Sequence, residues 1–351
     1  MSVNLHPALT AACEVAESSR VGVNAALSSE AALSRSTQRN KTTLPSEATV
    51  MPLSIDVVVR TQADASRSKL LFRALDSIQT QDAMHARPIV VVNGANVDDA
   101  VWAALARRPN ILLHRERRKS AGLAMSLGRA LVVAPYFAFL DDDDELIPGS
   151  LQNPLTWLAS HGECDVVISN GYFVKQDGVR SELHHIADHV RRRNPALGLL
   201  LDGWLTPGAF ICRTASIPPS MVNEGWSNME WTRLAFELCA ERKRLHFMDV
   251  PTMCYYDTPG SLSKAVRHHE AELELLAQVR GDARFDVETR HAASRKYLRT
   301  LHHLAMKYWE QGDHARAWRC HLGSLRPPYT FKYLLVSRKL LWPSARRAGG
   351  Q

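Results

Sequence analysis

Four consecutive aspartates, Asp141, Asp142, Asp143 and Asp144, followed by Glu145, close the apolar run Tyr136-Phe137-Ala138-Phe139-Leu140. Carboxylates this close repel one another and raise one another's pKa unless a cation neutralises them. Their hard oxygens suit Mn²⁺ or Mg²⁺. A Mg²⁺ site commonly takes one or two protein carboxylates and fills its remaining positions with substrate phosphates and water. The cluster therefore fits a metal-bridged diphosphate. A solvated acidic loop that caps the next helix is the plainer alternative. The apolar strand before the cluster and Pro148 after it favour the metal.

Other polar clusters are weaker. His184, His185, Asp188 and His189 place His185 and His189 on one helix face, but the glutamate of the zinc-protease H-E-x-x-H pattern is missing. They read as a solvated face. His268, His269, His302, His303, His314 and His321 lie scattered through a helical tail and take surface and packing roles. The six cysteines (Cys13, Cys164, Cys212, Cys239, Cys254 and Cys320) form no C-x-x-C pair. This spacing argues against a disulfide framework or zinc knuckle, and they read as reduced, mostly buried thiols.

The elements that must position the aspartates alternate regularly. Ile55-Asp56-Val57-Val58-Val59 reads as a buried strand. Leu70, Leu71, Ala74, Leu75 and Ile78 keep a helical period. A second strand, Ile89-Val90-Val91-Val92, ends in the turn formers Asn93-Gly94. Helical stretches over 97–106 and 121–132 flank a third strand at Ile111-Leu112-Leu113, and the fourth ends at Leu140. Strands alternating with helices imply a mainly parallel sheet covered on both faces. Ligands of such sheets bind beyond the carboxyl ends of the strands, where Asp141 stands. Further on, Asp165-Val166-Val167-Ile168-Ser169 and 244–248 read as strands and 231–238 as a helix.

The chain has 351 residues, 45% of them hydrophobic, with a formal charge of +7. That length buries a sizeable core, and the charge suits anionic partners without choosing among them. No apolar run approaches the span of a bilayer, and no signal peptide is visible, so a cytoplasmic location is the expectation. Residues 1–50 are rich in Ala, Ser, Thr and Glu, contain no aromatic residue, and read as a disordered or loosely helical extension.

The stretch from Tyr136 to Pro148 resembles the hallmark of the family-2 glycosyltransferases of GT-A fold. Val57-Val58-Val59-Arg60-Thr61-Gln62 with its following helix, Pro88 to Gly94, and Cys254 to Ser263 resemble that family's first strand, second strand and closing segment. Together they cover about residues 53 to 265. The resemblance implies a GT-A-like α/β catalytic domain over 51–265 and an inverting, metal-dependent transfer of a sugar from a nucleotide-sugar donor to an acceptor hydroxyl. It implies that Thr61 and the backbone near it line the nucleotide pocket, that Asn93 faces the base, and that Asp141 sits near ribose and metal. Asp143 would lead the metal ligands, with Asp142 and Asp144 in support. Glu230, in Asn228-Met229-Glu230-Trp231, stands where the family keeps its general base, and Glu224 is the next candidate; helix stabilisation is the bland role for Glu230. The chain departs from the family at Asn93 (commonly Asp), Ser126 (commonly Asn) and Thr258 (often His). Cell-surface polysaccharide or lipopolysaccharide synthesis is the usual setting of such enzymes, with a glycan or lipid-linked acceptor.

Residues 266–351 read as helical. Tyr297, Leu298, Leu301, Leu304, Ala305 and Tyr308 mark one long helix ending at Gly312, and Ala317, Trp318 and Leu322 mark another. With Pro328 they resemble one tetratricopeptide unit, which cannot bury its own face and must pack on the catalytic domain. After Asp313 no acidic residue occurs, while Arg and Lys interleave with Tyr, Phe, Leu and Trp. This tail suits peripheral docking on an anionic membrane and, equally, a basic helix packed on the domain. No nucleic-acid module surrounds it. Two rivals to sugar transfer remain. A nucleotidyltransferase would want a glycine-rich loop after the first strand, which Thr61-Gln62-Ala63-Asp64 lacks. A non-catalytic sugar- or partner-binding protein on the same scaffold is the other.

Overall fold

The computed structural model describes residues 53–81, 84–184, 192–258, 266–327 and 329–341. Strand β1 (Ser54–Thr61) explains the sheet around it. Its period-two alternation sends Val58 into a core with Ile89, Val91, Phe137 and Phe139. Ile55, Val57 and Val59 enter a second core with Val90, Val92, Ala138 and Leu140 on the opposite face. Each fully buried Val, Ile or Leu adds about 1.5–3 kcal/mol, so a strand apolar on both faces is stable only in the middle of a layered fold.

Helix α1 (Ser68–Gln79) follows β1, and β2 (His85–Asn93), α2 (Asp99–Arg107), β3 (Leu112–Glu116), α3 (Ala121–Ala130) and β4 (Tyr136–Asp141) complete the first half. β2 and β4 both pair with β1 in parallel, and β3 pairs with β2 in parallel. Asp56, buried among apolar neighbours, is held by Arg87 at 2.8 and 2.9 Å and by the backbone N–H groups of Val133 and Ala134. Gly128 of α3 lets the helix lie on the sheet, since a Cβ there would come within 2.3 Å of Val58 Cγ1.

The second half is mixed. After β5 (Glu145–Leu146) and α4 (Gln152–Ser160) come β6 (Val166–Val174), β7 (Arg180–Glu182), α5 (Pro195–Leu201), β8 (Phe210–Arg213), α6 (Glu230–Ala240) and β9 (Leu245–Tyr256). The order across the sheet is β3-β2-β1-β4-β8-β6-β9-β5, with β7 beside β6. β8 runs antiparallel to β4 and β6, so the sheet is parallel in its first half and mixed as a whole. The short strand expected at 244–248 continues through Pro251 to Tyr256. Pro251 faces Asn170 between two register shifts of the β6–β9 pair, where a missing N–H does least harm to the ladder. That continuation pairs Cys254 with Glu145 and so brings β9 to the acidic turn.

Four helices follow: α7 (Val266–Gly281), α8 (Val287–Glu310), α9 (His314–Ser324) and α10 (Thr330–Leu341). Leu275, Leu276, Val279, Phe285, Ala292 and Ala293 share one core with Phe137, Phe210 and Leu234. The helical region is therefore packed into the core of the sheet at its start. Further out, Leu304, Tyr308 and Ala317 form the small core of the α8–α9 hairpin. Gly312 turns that hairpin at φ +80, a conformation glycine takes without strain. Pro328 of the tetratricopeptide-like pattern, the 1–50 extension, and His185, Asp188 and His189 lie outside the described residues. His184 is buried, with Nε2 3.3 Å from Thr206 Oγ1.

Candidate active site

Parallel pairing sets Arg60 directly beside Asp141 at the carboxyl ends of β1 and β4. Arg60 Nη2 donates to Asp141 Oδ1 at 3.1 Å. The same guanidinium lies over the ring of Trp231, 4.6 Å from its centroid. Trp231 in turn packs on Phe139 of β4 with centroids 5.0 Å apart. One cation thus ties the acidic cluster to the start of α6, where Glu230 is the first helical residue.

The remaining aspartates point in different directions. Arg67 Nη2 lies 2.7 Å from Asp142 Oδ1 and 3.1 Å from Asp143 Oδ2. Arg73 Nη2 donates to the Asp143 carbonyl at 2.5 Å, and its guanidinium covers the Tyr256 ring at 3.9 Å. Asp144 is buried and turned toward β9, where its Oδ1 accepts from the Tyr256 N–H at 3.1 Å. Its Oδ2 is buried and has no hydrogen-bond partner among the described residues. Tyr256 Oη donates to Glu145 Oε2 at 2.9 Å.

Electrostatics follow from this packing. Burial raises the Asp141 carboxyl above its ordinary value; Arg60 opposes that, and Asp143 and Asp142 add to it. Burial and the charges of Asp141 and Asp143 push Asp144 well above the usual carboxylate range. Tyr256 is pushed up to about 12 by burial and by its bond to Glu145. An anionic turn with three arginines around it is poised to take a cation, a phosphate, or both.

Among the described residues no group of three His, Cys, Asp or Glu side chains converges on one point as a metal shell. The residues fit a hard divalent ion in the sparser manner, through one or two carboxylates with phosphate and water completing the set. Asp141 and Asp143 have the right chemistry for this. Asp144, expected as a further ligand, is engaged with the β9 backbone.

The other expected residues are placed as follows. Thr61 is buried, and its Oγ1 accepts from the Ala63 N–H at 3.0 Å, so its hydroxyl shapes the turn that leaves β1. Asn93 is buried at the end of β2 and donates from Nδ2 to the Ser120 carbonyl at 3.2 Å, tying β2 to α3. Glu224 is exposed, and its carbonyl oxygen accepts from Oγ of Ser120, the cap of α3, at 3.4 Å. Glu230 Oε1 accepts from the Asn228 N–H at 3.0 Å. Asn228 and Met229 before it hold left-handed φ values of 62 and 60, a strained entry that fixes the direction of Glu230. Arg60, Arg67 and Arg73 carry much of the site and were not singled out from sequence. The signal for Arg60 was its place at the end of β1, one strand from Asp141.

A parallel sheet with its acidic turn at the carboxyl edge, backed by a mixed second half, defines a GT-A glycosyltransferase fold. Residues 65–216 match the family model for glycosyl transferase family 2. None of the curated proteins matches the sequence. Among solved structures, that of S. aureus TarS 1-349 in complex with UDP-GlcNAc is similar at a TM-score of 0.58 and 15% identity, over 82% of this chain and 85% of that one. S. aureus TarS 1-349 is also similar, at a TM-score of 0.51 and 14% identity, over 71% of each chain. At these identities the likeness is one of fold.

Proposed function

We propose that this chain transfers a sugar from a nucleotide-sugar donor to an acceptor hydroxyl, with inversion, using a divalent ion at the Asp141–Asp144 turn. The observation that carries the reading is Arg60, which joins Asp141 and Trp231 and so ties the acidic turn to the start of α6, where Glu230 is the residue before Trp231. The family match supports sugar transfer as the reaction class. The related fold of TarS, solved with UDP-GlcNAc, makes a UDP-sugar the first donor to test.

In this reading Asp143 is the leading ligand for Mn²⁺ or Mg²⁺, with Asp141 beside it. The bound ion would neutralise charge on the departing nucleoside diphosphate. Arg60 holds Asp141 in place, and Arg67 is free to turn from Asp142 and Asp143 toward the diphosphate once a cation replaces it there. Glu230 takes the proton of the acceptor hydroxyl, which then attacks the anomeric carbon from the face opposite the diphosphate. Asp144 stays with β9 and fixes the turn. A glycan or lipid-linked molecule supplies the hydroxyl.

The test is release of nucleoside diphosphate from a panel of sugar nucleotides, with and without Mn²⁺ or Mg²⁺, followed by anomeric assignment of the product. Metal-dependent release from one donor with an inverted product supports the proposal. Tight donor binding without turnover under every condition favours a non-catalytic sugar-binding role.

A further inference from the structure

Among its described side chains, helix α10 meets the rest of the chain through Tyr333 and Ser337. Tyr333 is buried and stacks on His302, with centroids 4.0 Å apart and planes 9° apart. One turn on, Ser337 Oγ lies 2.7 Å from His321 Nε2. The other side carries Phe331, 85% exposed, and Leu335, 79% exposed, which share a stripe at i and i+4. Leu334 beside them is 45% exposed. Large apolar side chains grouped on one exposed face mark an interaction surface.

Charge selects the partner. From His314 to Gln351 there is no Asp or Glu, while Arg319, Arg326, Lys332, Arg338, Lys339, Arg346 and Arg347 are all basic. Lys332 is exposed next to Phe331. A second copy of this segment would set like charges against each other. An anionic lipid surface meets both needs: headgroups for the basic residues and the acyl boundary for the apolar stripe. No described helix is long and apolar enough to cross a membrane, so the contact lies in the plane of the interface.

We propose that α10 is a peripheral docking helix that seats Phe331 and Leu335 in an anionic lipid leaflet. The inference stands apart from the sugar-transfer reading, because none of its residues belongs to the acidic turn. Co-sedimentation of the full chain with phosphatidylcholine vesicles, with and without phosphatidylglycerol, tests it. Binding to the anionic vesicles alone, weakening as salt rises, is expected. Phe331→Ser and Leu335→Ser should each weaken binding about tenfold, with melting temperature unchanged because both side chains are exposed. Lys332→Glu should weaken binding without touching the apolar stripe. Absent binding, equal binding to neutral vesicles, or variants that bind as tightly as wild type would each overturn the proposal. So would a dimer broken by Phe331→Ser, or retention on nucleic acid, in a chain that ignores vesicles.

Discussion

Gly122→Ala should cripple turnover without unfolding the protein. Gly122 lies in the first turn of α3, whose Ser120 cap accepts from the Leu123 N–H at 3.2 Å. A Cβ at Gly122 would stand 2.3 Å from the Trp226 carbonyl oxygen and 2.9 Å from both the Trp226 N and the Glu224 carbonyl oxygen. All three are backbone atoms, so no side-chain rotation relieves the clash. Real Cβ atoms do not approach below 3.0 Å, so the 223–229 loop must withdraw by at least about 0.7 Å. That loop leads directly into Glu230 through the strained Asn228 and Met229. A displacement near 1 Å at a catalytic group costs on the order of 100-fold in rate, or about 2.7 kcal/mol of barrier. Overpacking itself costs about 1–3 kcal/mol of stability, partly offset by the better helix propensity of Ala. The assay is nucleoside diphosphate release at saturating donor, beside a thermal melt. Turnover within threefold of wild type would refute the claim that α3 positions the base through this contact.

Further outcomes follow from the same geometry. Glu230→Gln should abolish turnover and leave the donor dissociation constant unchanged, by titration calorimetry; normal rates would mean that Glu230 only stabilises α6. Arg67→Met should strengthen Mn²⁺ binding in the absence of donor, because the cation competing for Asp142 and Asp143 is gone; weaker or unchanged affinity would remove Arg67 from the account. Asp144 has a folded-state pKa raised by burial, so the stability it lends is complete below the unfolded carboxylate value of about 4 and is lost as pH climbs toward the raised value. Asp144→Asn should therefore flatten the decline of melting temperature with rising pH above about 4, and an undiminished slope would show that another group titrates there.

Much of this arrangement is legible in the residues. The β1, β2 and β4 runs are apolar on both faces, which marks a covered parallel sheet, and the four aspartates after Leu140 mark its carboxyl edge. Gly312 likewise announced the α8–α9 turn. Less was visible where pairing decides the structure. β8 has four residues and no pattern of its own; it is a strand because β4 and β6 lie on either side. β9 runs past Pro251 only because the β6 ladder is already irregular at Asn170. Long-range contacts also decide how each aspartate is held. Spacing makes Asp143 and Asp144 near equivalents, and only the return of β9 shows Asp144 turned to the Tyr256 backbone. The arginines around the turn come from β1, the short turn before α1, and α1 itself, far away in sequence, and single cations in a chain with 43 Lys and Arg carry no signal until the sheet register is known.

The most direct measurement is thermal stabilisation by a UDP-sugar with and without Mn²⁺, in wild type and in Asp143→Ala. At about 100 times its dissociation constant a bound donor adds roughly 2.7 kcal/mol of stability. The account predicts that gain for wild type only when donor and metal are both present, and its loss in Asp143→Ala. Equal stabilisation of both proteins, independent of metal, would contradict a carboxylate-held cation as the grip on the diphosphate.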